Sequence, residues 1–258
     1  MNTPAAAHRH GRDSGDVGAA AAPAAVLELR DVRFAWRPRE PDVIDIQELS
    51  LSAGERLFVA GPSGSGKSTL LSLLGGVAVP RSGRIALLGT DIARLGGRRR
   101  DRLRADHVGF VFQMFNLVPY LSMLDNVTLA CRFSRARRAR AIARSGSARE
   151  DARRLLAALE LDAPALLARR VTDLSIGQQQ RVAVARALVG SPEIVIADEP
   201  TSALDEGTRE RFLELLFAEC AAAGTTLLFV SHDTRLGELF PRRVSLPDIN
   251  RALLQAAA

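Results

Sequence analysis

The sequence is short of several things, and each shortage excludes a class of protein. It has only two cysteines, Cys131 and Cys220, far apart and outside any Cys-x-x-Cys or Cys/His cluster. Neither a disulfide framework nor a zinc site can be built from them, and each reads as a small apolar residue in a reducing compartment. Aromatic residues make up 5% of the chain, too few to interleave with its basic clusters as a stacking platform for single-stranded nucleic acid. No apolar run reaches the roughly 18–20 residues that cross a bilayer; the longest, near Leu70–Pro80, is interrupted by Ser72, Gly75 and Gly76. Residues 1–25 lack the basic start and leucine-rich core of a signal peptide, with Asp13 and Asp16 ahead of an alanine run broken by Pro23, and are expected to form a disordered tail.

Lysine is the scarcest charged residue. Lys67 is the only one among 35 cationic side chains, and the rest are arginine. A compact ammonium at one position, in a chain that uses guanidinium everywhere else, points to a task for which a planar fork is unsuited. The net charge of +6 raises the possibility of a polyanionic partner, but it follows from the arginine usage and does not locate a binding face. The basic runs at Arg98–Arg104 and Arg132–Arg149 read as solvated helix faces near a membrane surface.

With 258 residues, 47% of them hydrophobic and 25% charged, the chain is an ordinary globular protein able to bury its own core. Alternating apolar positions predict strands over Val26–Trp36 and Val43–Leu51, forming an antiparallel entry. A short strand, Arg56–Ala60, then runs into a glycine-rich turn and an apolar helix, Ser68–Leu74. Further strands are expected near Arg84–Leu88, Val108–Phe112, Glu193–Ala197 and Thr225–Val230. Helices are expected near Gly97–Ala105, Gly177–Val189 and Glu206–Ala223. Residues of about 115–180 turn to helical periodicity and read as an inserted helical subdomain. The expected fold is α/β, with a parallel sheet, an N-terminal antiparallel β subdomain and an inserted α-helical subdomain, over 26–246, with 247–258 as a tail.

The turn after the third strand, Gly61-Pro-Ser63-Gly64-Ser65-Gly66-Lys67-Ser68, fits G-x-x-x-x-G-K-[ST] between a strand and a helix, so the expected α/β core is that of a P-loop NTPase. Gly64 and Gly66 let backbone N–H groups wrap an anion, the helix start through Thr69 adds its dipole, Lys67 reaches β- and γ-phosphates, and Ser68 offers its hydroxyl to Mg²⁺. Ile194–Glu199 supplies what hydrolysis further requires. A buried strand ends in two acids, placing Asp198 toward the metal and Glu199 as general base.

These segments resemble the ATP-binding subunit of ABC (ATP-binding cassette) transporters from about Val26 to Val244. Leu174-Ser175-Ile176-Gly177-Gln178 is similar to the ABC signature, Gln113 in Phe110-Val-Phe-Gln113 to the Q-loop, Ser202-Ala-Leu-Asp205 to the D-loop, and His232 in Val230-Ser-His232-Asp233 to the switch histidine. The resemblance implies that Gln113 and His232 join Glu199 and Lys67 in catalysis, with Gln113 also at the metal. It further implies that Ser175, Gly177, Gln178 and Asp205 meet ATP across a head-to-tail homodimer, and that a separate integral membrane permease is driven from the cytoplasmic face of the inner membrane. It places an adenine-stacking aromatic at Trp36, with Phe34 as rival. Ile176 departs from the family's usual glycine; a β-branched residue narrows the permitted backbone there, but little damage to the closed interface is expected, because the contacts assigned to Ser175 and Gly177 remain. The segments Gly109–Pro119 and Gly177–Ala187 are similar to the subgroup serving lipoprotein release and macrolide or glycolipid export, which implies export of a lipophilic substrate or lipoprotein. The alternative is a soluble ABC ATPase acting on ribosomes or nucleic acid. Relatives of that kind usually carry two cassettes or long inserted coiled coils, whereas 108 positions separate Lys67 from Ser175 here. No nucleic acid is expected as partner.

Overall fold

Strands covered on both faces read as unbroken apolar runs, and four of them, with a more exposed fifth at one edge, form the centre of this protein. In the computed structural model, which describes residues 25–202 and 204–256, β1 spans Ala25–Phe34, β2 Ile44–Ser52, β3 Arg56–Ala60, β4 Ser82–Leu87 and β5 Thr90–Asp91. They are followed by β6 (Val108–Val111), β7 (Ile194–Asp198), β8 (Thr226–Ser231) and β9 (Arg242–Ser245). A parallel sheet runs in the order β6-β7-β8-β3-β9, and an antiparallel sheet in the order β2-β1-β4-β5.

Alternate residues of the parallel strands serve two cores. Leu57, Val59, Ile194, Ile196, Leu228 and Val230 pack toward the antiparallel sheet and the helix α1 (Lys67–Leu74). Phe58, Val195, Ala197, Leu227 and Phe229 face the opposite way, as period-2 side-chain alternation requires. On that side lie α3 (Met123–Phe133), α4 (Arg135–Ser145), α5 (Ala148–Ala158), α6 (Pro164–Leu167), α7 (Ile176–Leu188) and α8 (Glu206–Ala223), while α2 (Gly97–His107) stands before β6. The region expected as a helical subdomain over 115–180 therefore shares an apolar cluster with the sheet: Leu155, Leu156 and Val171 join Val182–Val189 in one core. Helix α7 carries this core eight residues past the expected boundary.

Serine caps set the helix starts. Ser122, Ser134, Ser147 and Ser175 each accept a backbone N–H three residues on, from Asp125, Arg137, Glu150 and Gln178, satisfying donors that a helix end leaves free. Helix α8 matches its expected limits, with Asp205 as cap and Gly224 closing it at φ 64°.

Two expectations are corrected. Strand β1 ends at Phe34, because the Phe34 carbonyl accepts the Val43 N–H at 2.7 Å and closes the hairpin there; Trp36 stands in the connecting turn ahead of Pro38. The C-terminal stretch expected as a tail forms α9 (Leu246–Ile249) and α10 (Arg251–Ala256). Between them, fully buried Asn250 accepts the Asp45 N–H at 2.8 Å and donates to the Val43 carbonyl at 2.9 Å, fixing the helices to the start of β2. The expected N-terminal tail lies outside the described residues except for Ala25, the first residue of β1. Among the described residues no helix is long and apolar enough to cross a membrane.

Candidate functional site

The turn between β3 and α1 adopts a path that only glycine permits at two points. Gly64 and Gly66 have φ of 83° and 93°, left-handed values that strain any residue with a Cβ. At Gly66 a Cβ would also meet Ile44 Cδ1 at 3.1 Å and the Val43 carbonyl at 3.4 Å, so the loop lies directly against the start of β2. The helix begins at Lys67, one residue earlier than expected.

Ser63, Gly64, Gly66, Lys67, Ser68 and Thr69 form one wall of a cavity of about 430 Å³, and Gln113, Asp198, Glu199 and His232 close the other. Val43 also lines it; nothing in the sequence marks that valine as different from any other strand-entry residue. Gly61 and Ser65 do not line it. The Ser65 side chain is turned inward and 3% exposed, and a Cβ at Gly61 would sit 2.5 Å from its Oγ, so Gly61 is small to admit that serine. The Gly61 carbonyl still takes part, accepting Lys67 Nζ at 2.7 Å, while the Pro62 carbonyl accepts it at 3.1 Å. The ammonium is thus held across the loop, 3.8 Å from Glu199 Oε1.

The two acids differ in environment. Asp198 ends β7, where burial raises its pKa, the neighbouring Glu199 charge raises it further, and Lys67 opposes both. Glu199 lies just beyond the strand with φ 46°, a strained value for a residue other than glycine. It is held there by its N–H bond to the Val230 carbonyl at 2.9 Å. Its carboxylate is oriented at both oxygens: Oε1 accepts the His232 N–H at 2.9 Å and lies 2.8 Å from His232 Nδ1, and Oε2 accepts Ser231 Oγ at 3.0 Å. Ser231 is fully enclosed; its position beside the histidine is the only sequence signal it gives. Arg209 holds Asp233 at 2.8 Å, steadying the turn that presents His232. The result is a fixed carboxylate–imidazole pair facing a phosphate-type loop and its ammonium, an arrangement suited to activating a water against a phosphoryl group.

Five expected residues lie elsewhere. Trp36 is 58% exposed and meets Phe34 edge-on at 5.0 Å. Ser175 and Gln178 bond to one another's backbone in a reciprocal cap, Ser175 Oγ accepting the Gln178 N–H at 3.2 Å and Gln178 Oε1 accepting the Ser175 N–H at 2.9 Å. Gly177 was expected to open α7; instead Ser175 caps it, Ile176 is its first residue, and Gly177 is the second. Ile176 sits 57% exposed at an ordinary helical position, so its branching causes no backbone conflict. Asp205 caps α8, accepting the Thr208 N–H at 3.0 Å, and that bond holds its carboxyl below the usual range. Ala203, in the same expected loop, lies outside the described residues. Trp36, Ser175 and Asp205 are exposed and Gly177 and Gln178 half-buried, all apart from the cavity.

Comparison with known proteins identifies the family. The ABC transporter family matches residues 44–202. The lipoprotein-releasing system ATP-binding protein LolD of Anaeromyxobacter dehalogenans is 41% identical over 224 residues, covering 86% of this chain and 90% of that protein. The macrolide export ATP-binding/permease protein MacB of Chromobacterium violaceum is 40% identical over 228 residues, which are 86% of this chain but 33% of that protein. A dimeric post-hydrolysis structure of the ATP-binding cassette MJ0796, bound to ADP and Pi, superposes with a TM-score of 0.71 at 32% identity, covering 85% of this chain and 93% of that one. The chain belongs to the ABC transporter family and is an ATPase.

Proposed function

We propose that this protein is the ATP-hydrolysing subunit of an exporter. In this reading two copies close head to tail on ATP and move a separate integral membrane permease from the cytoplasmic face of the membrane. The observation that carries the reading is the division of the machinery over the surface. Lys67, Asp198, Glu199 and His232 share one cavity, whereas Ser175, Gly177, Gln178 and Asp205 lie outside it. A second copy can bring the exposed start of α7, with its free N–H groups, onto the phosphates held by the first. The dimeric cassette to which the chain is similar supports that arrangement.

Within one copy, Lys67 and the loop N–H groups hold the phosphates. Glu199 accepts the proton of the attacking water, and His232 keeps its carboxylate aimed and shares its charge. Mg²⁺ fits the residues present. The Ser68 hydroxyl, the Gln113 amide oxygen and the Asp198 carboxylate are hard oxygen donors on one cavity, and among the described residues no cluster of three or more His, Cys, Asp or Glu forms an all-protein cage. A single carboxylate complemented by phosphate oxygens is how Mg²⁺ is commonly bound. When bound, the ion neutralises charge on the β- and γ-oxygens.

An apolar groove of about 250 Å³ lies beside the Gln113 loop, bordered by Phe110, Phe112, Leu129 and Phe133, the last 72% exposed. Its place next to a cavity residue suits a permease segment that must sense the nucleotide. Likeness to lipoprotein-releasing and macrolide-export proteins supports a lipophilic substrate or lipoprotein as cargo. The test is co-purification of tagged Glu199→Gln protein from gently solubilised membranes with ATP and Mg²⁺. An integral membrane protein in stoichiometric yield is expected, and ribosomal or nucleic-acid components in its place would refute the reading.

A further inference from the structure

The last turn of α7 is where three parts of the site meet. The helix starts at Ser175 and Gly177, its end leads through Gly190 into β7 and Asp198, and between them Arg186 reaches to the loop that follows Gln113. Arg186 Nη1 donates to the Asn116 carbonyl at 2.6 Å and Nη2 to the Phe115 carbonyl at 2.5 Å. Phe115 and Asn116 both hold left-handed backbone, with φ of 57° and 48°, a conformation that non-glycine residues keep only where their surroundings impose it. Two successive carbonyls turned toward one guanidinium supply that constraint, and they need the planar fork that arginine has and lysine lacks.

The same turn is fixed from its other side. Arg137, 3% exposed, donates through Nε to the Val189 carbonyl at 2.9 Å and through Nη2 to the Ala187 carbonyl at 2.5 Å, taking up free carbonyls of the helix end. Arg140 Nε donates to the Gly190 carbonyl at 2.8 Å, and the buried Asp151 carboxylate accepts the Gly190 N–H at 2.9 Å. These bonds clamp the C-terminal end of α7. About 16 Å of helix separates Arg186 from Ser175, so a tilt of about four degrees carries the Ser175 end by roughly 1 Å.

We propose that Arg186 is a positioning residue that ties the Gln113 loop to α7, so that engagement of the loop at the nucleotide sets how the Ser175–Gly177 end meets the second copy. This rests on the reading above that ATP is enclosed between two copies. Arg186 touches no nucleotide; it transmits, and its loss uncouples binding from closure.

The test uses the full chain carrying Glu199→Gln, with and without Arg186→Gln, and reads two quantities with Mg²⁺ and ATP: monomer affinity, by competition with a fluorescent ATP analogue, and the ATP concentration for half-maximal dimer, by sedimentation. Arg186→Gln is expected to leave monomer affinity within about threefold and to raise the dimerisation midpoint at least tenfold, with Arg186→Lys in between because it can serve one carbonyl only. With Glu199 intact, KM for ATP rises by a similar factor while kcat at saturating ATP holds. Leu156→Ala, a core truncation that lowers the thermal midpoint, controls for a merely structural effect and leaves the dimerisation midpoint where it was. Equal dimerisation by Arg186→Gln and its parent would overturn the proposal alone, as would a parallel loss of monomer affinity or full recovery by Arg186→Lys. If Arg186→Gln fails to fold, Arg186→Lys decides by the same midpoint. A Glu199→Gln parent that stays monomeric overturns the two-copy reading, and the proposal with it.

Discussion

Glu199→Gln separates the chemistry of this site from its binding, because the substitution is nearly isosteric inside a hydrogen-bond set that tolerates an amide. The Oε1 position still accepts the His232 N–H, now 2.9 Å from the carboxylate, and keeps its contact with Nδ1. The new NH₂ takes the place of Oε2, where Ser231 Oγ lies at 3.0 Å and can accept as readily as it donates. The strained backbone at Glu199 stays anchored to Val230, so the fold and the phosphate loop are expected to be unchanged. What disappears is the base. A positioned general base contributes about 10²–10⁴ in rate, or roughly 2.7–5.5 kcal/mol of barrier at ~1.36 kcal/mol per decade. Removing a negative charge 3.8 Å from Lys67 Nζ also leaves the ammonium freer for phosphates, so ATP affinity should hold or rise. Phosphate release at saturating ATP and Mg²⁺, measured alongside equilibrium ATP binding, reads both quantities. Turnover within about threefold of the parent would refute the assignment of Glu199 as base, since no general-base role is that small.

Lys67→Ala removes a charged donor to phosphates, and charged hydrogen bonds carry about 1.5–3 kcal/mol; ATP affinity measured by titration calorimetry should fall tenfold or more, and an unchanged Kd would remove the loop from the site. Asp198 loses its proton only above the usual carboxylate range, because of its burial and the Glu199 charge. Its charged form therefore costs the fold stability above its folded pKa, a cost that fades as the pH falls through that value. Metal competes with the same proton, so the Mg²⁺ dependence of ATP binding should weaken on acidification before an ordinary aspartate would titrate, and in Glu199→Gln at lower pH; identical profiles would refute the coupling. Arg137→Leu strips the buried Ala187 and Val189 carbonyls of their donor, at about 1–3 kcal/mol each. Urea unfolding should register a loss of about 2–6 kcal/mol, and a loss under about 1 kcal/mol would show that those carbonyls find other partners. Burial lowers the Arg137 pKa only to about 10, so this residue should add no pH dependence to stability near neutrality.

How much of this was legible in the sequence depends on whether a residue's role is set by its own segment or by a distant one. Four of the five parallel strands could be placed because both of their faces are buried, whereas β9, half exposed with the sequence Arg-Arg-Val-Ser, shows no apolar run and was missed; the phosphate loop could be placed because glycine and lysine at those spacings have few other uses. Asp198 and Glu199 followed from a strand that ends in acids. At α7 the error of one residue came from a cap: Ser175 stands before the helix, so Gly177 is its second residue and not its first. Asn250 looked like part of a tail because its partners, Asp45 and Val43, are some two hundred positions away. Arg137 and Arg186 were invisible for another reason. In a chain whose cationic side chains are nearly all arginine, a guanidinium that grips two carbonyls looks the same as one in solvent.

The same arginine usage gives the lone lysine its meaning. At Arg137 and Arg186 the partners are pairs of carbonyls nearly adjacent along the chain, a target that a flat fork meets with two donors at once. At position 67 the partners surround one point: the Gly61 and Pro62 carbonyls on one side and Glu199 Oε1 on the other, with the cavity ahead. Three tetrahedral donors on a compact head can hold two carbonyls and direct the third at a phosphate oxygen. A guanidinium would spread its charge over a plane too wide for the loop that encloses it. Lys67→Arg should therefore retain the charge and still lose ATP affinity, and a parental Kd in that variant would show that charge, and not shape, is what the position requires.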